Sequence, residues 1–169
     1  MTPTIRDLTY QLRQGHLIAI ADETGWSVAA DPANDTAVRD LLALDRETTL
    51  LIDQVGQLSL YLTNVPEVAW DLVEFAENPL TVVFEGPKNL SPVLLVSASV
   101  AIRRALSPDI QRLIGSFGKG LLTVPFETAT LLDEALAMVA GRFGSAPAKL
   151  QLPRILKLGV NGEIKFLRK

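Results

Sequence analysis

Apolar residues recur along this chain in two rhythms that alternate. Ile5, Leu8 and Leu12 fall at helical spacing behind Thr4 and Asp7. The Thr4 hydroxyl and the Asp7 carboxylate can satisfy free amides of a first turn, and Gly15 supplies a stop. HLIAIA (16–21) then reads as a buried strand. Asn34-Asp35 begins a second helix, TAVRDLLAL, with Val38, Leu41 and Leu42 on one face, and ETTLLID is a short strand. Asn64 and Glu67 form another capping box, for VPEVAWDLVEFA with its stripe of Val68, Leu72 and Phe75. PLTVVFE is a strand, GPKNLSP a loop, and VLLVSASVAIRR holds one or two strands. Ser107-Pro108 opens the helix PDIQRLIGSFG, closed by Gly118, and GLLTVPFE is a strand. ATLLDEALAMVAGRF is expected to be a helix with Leu132, Leu136 and Val139 inward. After SAPAKLQLP, the segments RILKLG and EIKFLRK flank Asn161-Gly162, the strongest hairpin signal in the chain.

Strands alternating with helices early, and a hairpin late, predict an α/β fold of the α+β type. A twisted mixed sheet would carry helices packed on it and leave a concave groove. There is no internal repeat, low-complexity tract or linker, so residues 1–169 are expected to form one domain.

Composition narrows the chemistry. The chain is 48% apolar and 21% charged, a globular balance. No apolar run approaches the roughly 20 residues that cross a bilayer. MTPTIRDLTYQLRQG is too polar for a signal peptide, so a cytoplasmic protein without membrane contact is expected. With no cysteine, disulfides, thiolate zinc sites and cysteine nucleophiles are excluded. One histidine, His16, rules out a multi-histidine metal site. The net charge of −3 conceals an asymmetry: from Arg142 onward there are seven basic residues and one acid, Glu163. That segment is therefore +6 and the part before it −9. A basic terminal segment can hold phosphates, and lysines on edge strands also discourage aggregation. Gly115-Ser116-Phe117-Gly118-Lys119-Gly120 superficially resembles a phosphate loop, but it follows a helix and precedes a strand. That is the reverse of a phosphate loop's setting.

The stretch Ala21-Asp22-Glu23-Thr24-Gly25-Trp26-Ser27-Val28 interrupts the first apolar run with two acids and an aromatic. Its letters resemble the PTDTVYGLG motif of the YrdC-like family, keeping the acid, the second threonine and the aromatic in kind. Other fragments follow in the family's order. Leu44-Asp45-Arg46-Glu47-Thr48-Thr49-Leu50-Leu51 stands where the family has LKxRPxxKPL, with Arg46 in the arginine's place and Asp45 in that of a lysine. Pro79-Leu80-Thr81 keeps the PLT of WPGPLT, and Arg103 keeps the arginine of VAVRVP. Val124-Pro125-Phe126-Glu127 replaces TSAN, losing the serine and asparagine, and Lys165-Phe166-Leu167-Arg168-Lys169 resembles ILRPG.

Members of that family make threonylcarbamoyl-adenylate from threonine, bicarbonate and ATP for tRNA modification, and several are described as binding RNA. The resemblance thus implies a YrdC-like domain, of the kind also called a putative translation factor, with double-stranded RNA or tRNA and nucleotides as partners. ATP or AMP with Mg would be the cofactor if activity is retained. The implied ligand-binding residues are Thr24, Trp26, Arg46, Thr48, Arg103 and Arg168. No catalytic residue and no protein metal ligand is assigned.

Physical reading of the replaced positions argues against catalysis. Phosphoryl and adenylyl chemistry needs cations on developing charge. Asp45 for a lysine reverses a charge where two unit charges about 4 Å apart interact by roughly 4 kcal/mol, and Glu127 acts in the same direction. Thr24 and Thr48 offer hydroxyls to a ligand, and Trp26 is either a stacking platform or a core aromatic. Arg103 and Arg104 end a strand and point to opposite faces, with Arg103 assigned to the groove on the resemblance. Asp22 and Glu23, adjacent on an extended segment, are read as a solvated turn rather than a shared-proton pair. The leading expectation is a nucleotide- or RNA-binding module without adenylate synthesis. The alternatives are an active synthase and a structural or partner-binding domain.

Overall fold

The computed structural model describes residues 3–169. Helix α1 (Ile5–Arg13) leads into β1 (Leu17–Asp22) and β2 (Gly25–Ala30), then α2 (Asp35–Leu42) and β3 (Thr49–Ile52). A 3-10 turn at Val55–Gln57 runs into α3 (Leu58–Tyr61), followed by α4 (Glu67–Glu74), β4 (Leu80–Glu85) and β5 (Ser99–Arg104). Helix α5 (Pro108–Phe117), β6 (Leu121–Pro125), α6 (Asp133–Leu136), β7 (Val139–Gly144), β8 (Arg154–Leu158) and β9 (Ile164–Arg168) complete the chain. All nine strands join one mixed sheet in the order β7-β1-β2-β6-β3-β5-β4-β8-β9.

Local signals explain most of these boundaries. Thr4 and Asp7 form the capping box of α1, Asn34 caps α2, and Ser107 with Pro108 opens α5. Gly118 ends α5 in the left-handed conformation, and β8 and β9 pair as the Asn161-Gly162 hairpin.

Two expectations need correction. Asn64 does not cap α4, whose N-cap is Pro66; the residue before a proline is biased away from helix, so the helix begins only after it. GWSVAA is a full strand, β2, antiparallel to β1. Both strands are buried on both faces, so neither shows the alternation that reveals a half-buried strand. VLLVSASVAIRR yields a single strand that begins at Ser99, within the one or two expected, with turns before it.

The second correction is the larger. Only Asp133–Leu136 of the expected helix 129–143 is helical, Leu136 is exposed, and Val139–Gly144 pairs in parallel with β1. Without β7, the buried strand β1 would leave a row of backbone groups unpaired. Gly141 and Gly144 also weaken any helix there, Gly144 with φ +86.

The register explains where a groove can form. On one sheet face Ile18, Ile20, Leu51 and Leu121 pack under α1 and α5. Two residues further along the same face stand Asp22, Thr49 and Thr123, with Thr49 opposite Thr123 and Thr81 opposite Arg103. The apolar floor beneath the helices thus changes to hydroxyls and charge. The other face buries Val82, Phe84, Ile102 and Leu156 against α3 and α4, and Val28, Leu122 and Val124 against α2.

Candidate functional site

The polar end of that face is a groove of about 800 Å³. Its walls carry Thr24, Thr48, Thr49, Thr81 and Thr123, with Arg46, Arg103 and Arg168 and the acids Asp45, Glu47 and Glu127. Three cations and three anions line it, so the lining side chains sum to no net charge. Behind Glu47 and Thr48, which both cavities share, lies a smaller and more apolar cavity of about 330 Å³. Leu90, Val93 and Leu94 help to line it, from the segment between β4 and β5.

Each arginine is already engaged by a carboxylate of the chain. Arg103 is almost fully buried and donates from Nη2 to Asp22 Oδ2 at 3.1 Å and to Thr24 Oγ1 at 3.5 Å. The other Asp22 oxygen accepts the Thr24 backbone N–H at 2.8 Å and its hydroxyl at 2.6 Å. The β1–β2 turn is therefore not the solvated one expected: Asp22 is buried and consumed in locking it. Arg103 Nη1 lies 4.0 Å from Glu23 Oε1, and neither atom has a hydrogen-bond partner among the described residues. Burial first, and the Asp22 charge second, push the Glu23 carboxyl above the usual range.

Arg46 is exposed, lies over the Phe126 ring at 4.5 Å and donates to Glu134 at 3.3 Å. Arg168 is held by both arms: Nη1 donates to Glu127 Oε1 at 3.0 Å and Nη2 to Oε2 at 2.6 Å. Its Nε donates to the Pro153 carbonyl at 2.9 Å, and the Glu127 hydrogen bonds raise its pKa. Glu127 itself adopts φ 57, a left-handed conformation that costs about 1–2 kcal/mol for a non-glycine residue. The start of β2 holds it there. Trp26 N–H donates to Thr128 O, and Phe126 N–H donates to Trp26 O, both at 3.0 Å. Gly25, with φ +106, lets this strap approach: a Cβ there would meet the Thr128 carbonyl at 2.7 Å.

Thr24, Arg46, Thr48, Arg103 and Arg168 thus stand around one groove, and Trp26 does not. Trp26 alternates onto the opposite face of β2, where it packs with Ala19 and Ala21 beneath the Arg142 guanidinium, 5.0 Å from the ring centroid. The stacking role gives way to the core role for that reason. Arg104 points away from the groove and donates to the carbonyls of Val73 and Glu74 at the end of α4.

Sequence reasoning overlooked Glu134 as the partner of Arg46, and Thr49, Thr81 and Thr123 as groove residues. A signal for the threonines was present. Each is a hydroxyl in a strand that is otherwise wholly or mainly apolar, TLLI, LTVVFE or LLTVP.

The Sua5/yciO/yrdC family model, described as "Telomere recombination", matches residues 10–128. The chain belongs to this YrdC-like family. The match takes in every motif position from Asp22 to Glu127 and stops before Arg168. A threonylcarbamoyl-AMP synthase of Pseudoalteromonas translucida is 30% identical over 122 residues, which span 66% of this chain and 65% of that protein. One from Halorhodospira halophila is 30% identical over 127 residues, 70% of this chain and 66% of that protein. The matched segment is thus just under two thirds of each relative's length. E. coli YciO superposes with a TM-score of 0.77 at 17% identity, over 99% of this chain and 91% of that one. P. abyssi Sua5 complexed with L-threonine gives 0.71 at 19% identity, over 91% of this chain and 50% of that one. At these identities the superpositions establish a shared YrdC-like fold.

No helix among the described residues is long and apolar enough to cross a membrane. No three His, Asp or Glu side chains among them converge as a metal cage.

Proposed function

We propose that this YrdC-like protein is a cytoplasmic binding module that takes a nucleotide, or a phosphate of RNA such as tRNA, without making an adenylate at an enzyme's rate. The bidentate Arg168–Glu127 pair carries this reading. A planar guanidinium fork suits phosphate, and here a carboxylate occupies it. Arg46 and Arg103 are each paired through one nitrogen with Glu134 and Asp22, so the charge that adenylate formation concentrates on a pyrophosphate meets groove guanidiniums already paired with an acid of the chain. What remains is a cleft of ligand size with threonine hydroxyls and an apolar annex suited to a flat base. The +6 segment beyond residue 141 adds a surface for RNA phosphates, double-stranded RNA included.

The second reading, an active synthase using ATP, threonine and bicarbonate, is favoured by the name and 30% identity of the curated relatives. A role as a translation factor or partner-binding domain is the third. Titration with AMP and with tRNA at several salt concentrations tests the first reading. Dissociation constants of about 10⁻⁴ to 10⁻⁶ M, with RNA affinity falling steeply as salt rises, are expected. No binding of AMP, ATP or RNA at low salt would leave the partner-binding reading.

A further inference from the structure

We propose that Glu127 is a specificity-determining residue, a resident oxyanion that makes the groove select nucleosides and their monophosphates against di- and triphosphates. This rests on the reading of the groove as a nucleotide site and names the ligand class it takes.

The geometry has three parts. The Glu127 carboxylate occupies both terminal nitrogens of Arg168, the same planar edge that would grip two oxygens of a phosphate. Both ends of the pair are anchored by backbone. Residues 126–128 are strapped to β2 through Trp26 N–H and Phe126 N–H, and Arg168 Nε is tied to the Pro153 carbonyl. The carboxylate is therefore fixed in place before any ligand arrives. Finally, the pair is about one third exposed on each side, 37% and 28%, so a competing oxyanion can reach it.

Charge decides what the groove then prefers. With Arg168 paired with Glu127, Arg46 with Glu134 and Arg103 with Asp22, the charged side chains of the groove wall left without an ion-pair partner among the described residues are Asp45 and Glu47. Each further phosphate charge meets carboxylates rather than guanidinium. A nucleoside avoids that repulsion, and a monophosphate has only one group to place. Hydroxyls of such a ligand find the groove threonines, which carry no charge.

Equilibrium dialysis or titration calorimetry with adenosine, AMP, magnesium-free ATP and inorganic phosphate, on the full chain, tests this. Wild type should rank adenosine and AMP above ATP. Glu127→Gln keeps the side chain's size and removes its charge. It should raise affinity for ATP and inorganic phosphate about tenfold or more relative to its affinity for adenosine. Arg168→Gln added to that variant should abolish the gain. A Glu127→Gln protein that retains its near-ultraviolet circular dichroism and binds phosphate and ATP no better than wild type overturns the proposal. A wild type that ranks ATP above AMP also overturns it. The two readings fail separately. If wild type binds no nucleoside or nucleotide but Glu127→Gln gains phosphate through Arg168, the nucleotide site falls and the role of Glu127 as resident oxyanion stands.

Discussion

Arg103 and Asp22 meet at 3.1 Å beneath the groove floor, 81 residues apart in sequence and both almost fully buried. The contact ties the middle of the sheet to the β1–β2 turn, and Asp22 holds that turn through Thr24 at the same time. Removing one member of a buried pair strands the other, at a cost of about 3–5 kcal/mol. Arg103→Ala is therefore expected to lose about that much in urea denaturation, whatever it does to ligands. A loss under about 1 kcal/mol would show that the pair does not hold the turn. Any ligand-binding defect of that variant has to be read against its fraction folded.

Glu23 gives a pH dependence with a definite sign. Its carboxyl is raised above the ordinary 4.5, by burial first and by Asp22 second. The folded state then holds the proton more tightly than the unfolded chain. Stability falls as pH climbs above about 4.5 and levels off once the folded group has also ionised. Glu23→Gln does not titrate, so its melting temperature should gain on wild type across that window and least at its acid end. Melting curves between pH 4 and 8 whose difference stays constant would contradict this.

Trp26 separates packing from recognition. With its ring buried against Ala19 and Ala21 and under Arg142, Trp26→Ala should cost about 3–5 kcal/mol. Trp26→Phe should leave AMP affinity within about twofold, because the ring does not line the groove. A tenfold loss of AMP affinity in Trp26→Phe with an unchanged melting temperature would restore the stacking role.

Much of the fold was legible because capping and turn chemistry are local. Thr4 with Asp7, Asn34, Ser107-Pro108 and Asn161-Gly162 each mark a boundary that the structure keeps. What was not legible depended on distant partners. Val139–Gly144 carries a helical apolar spacing and becomes a strand only because β1 needs a neighbour. In the site, the order of the family's fragments pointed to residues that the fold gathers around one groove. It could not reveal that Glu127 lies opposite Arg168, or Glu134 opposite Arg46, since those contacts join residues 41 and 88 positions apart. Nor could it place Trp26, whose face is set by the register of β2 against β1.

Release of pyrophosphate from ATP, dependent on threonine and bicarbonate, tests the central claim most directly. With the groove arginines bound by Glu127, Glu134 and Asp22, no turnover approaching 1 per second, roughly the lower end of ordinary enzyme rates, is expected. Threonine-dependent release at about that rate or faster, abolished by Arg46→Ala, would contradict the account and make the protein an active synthase.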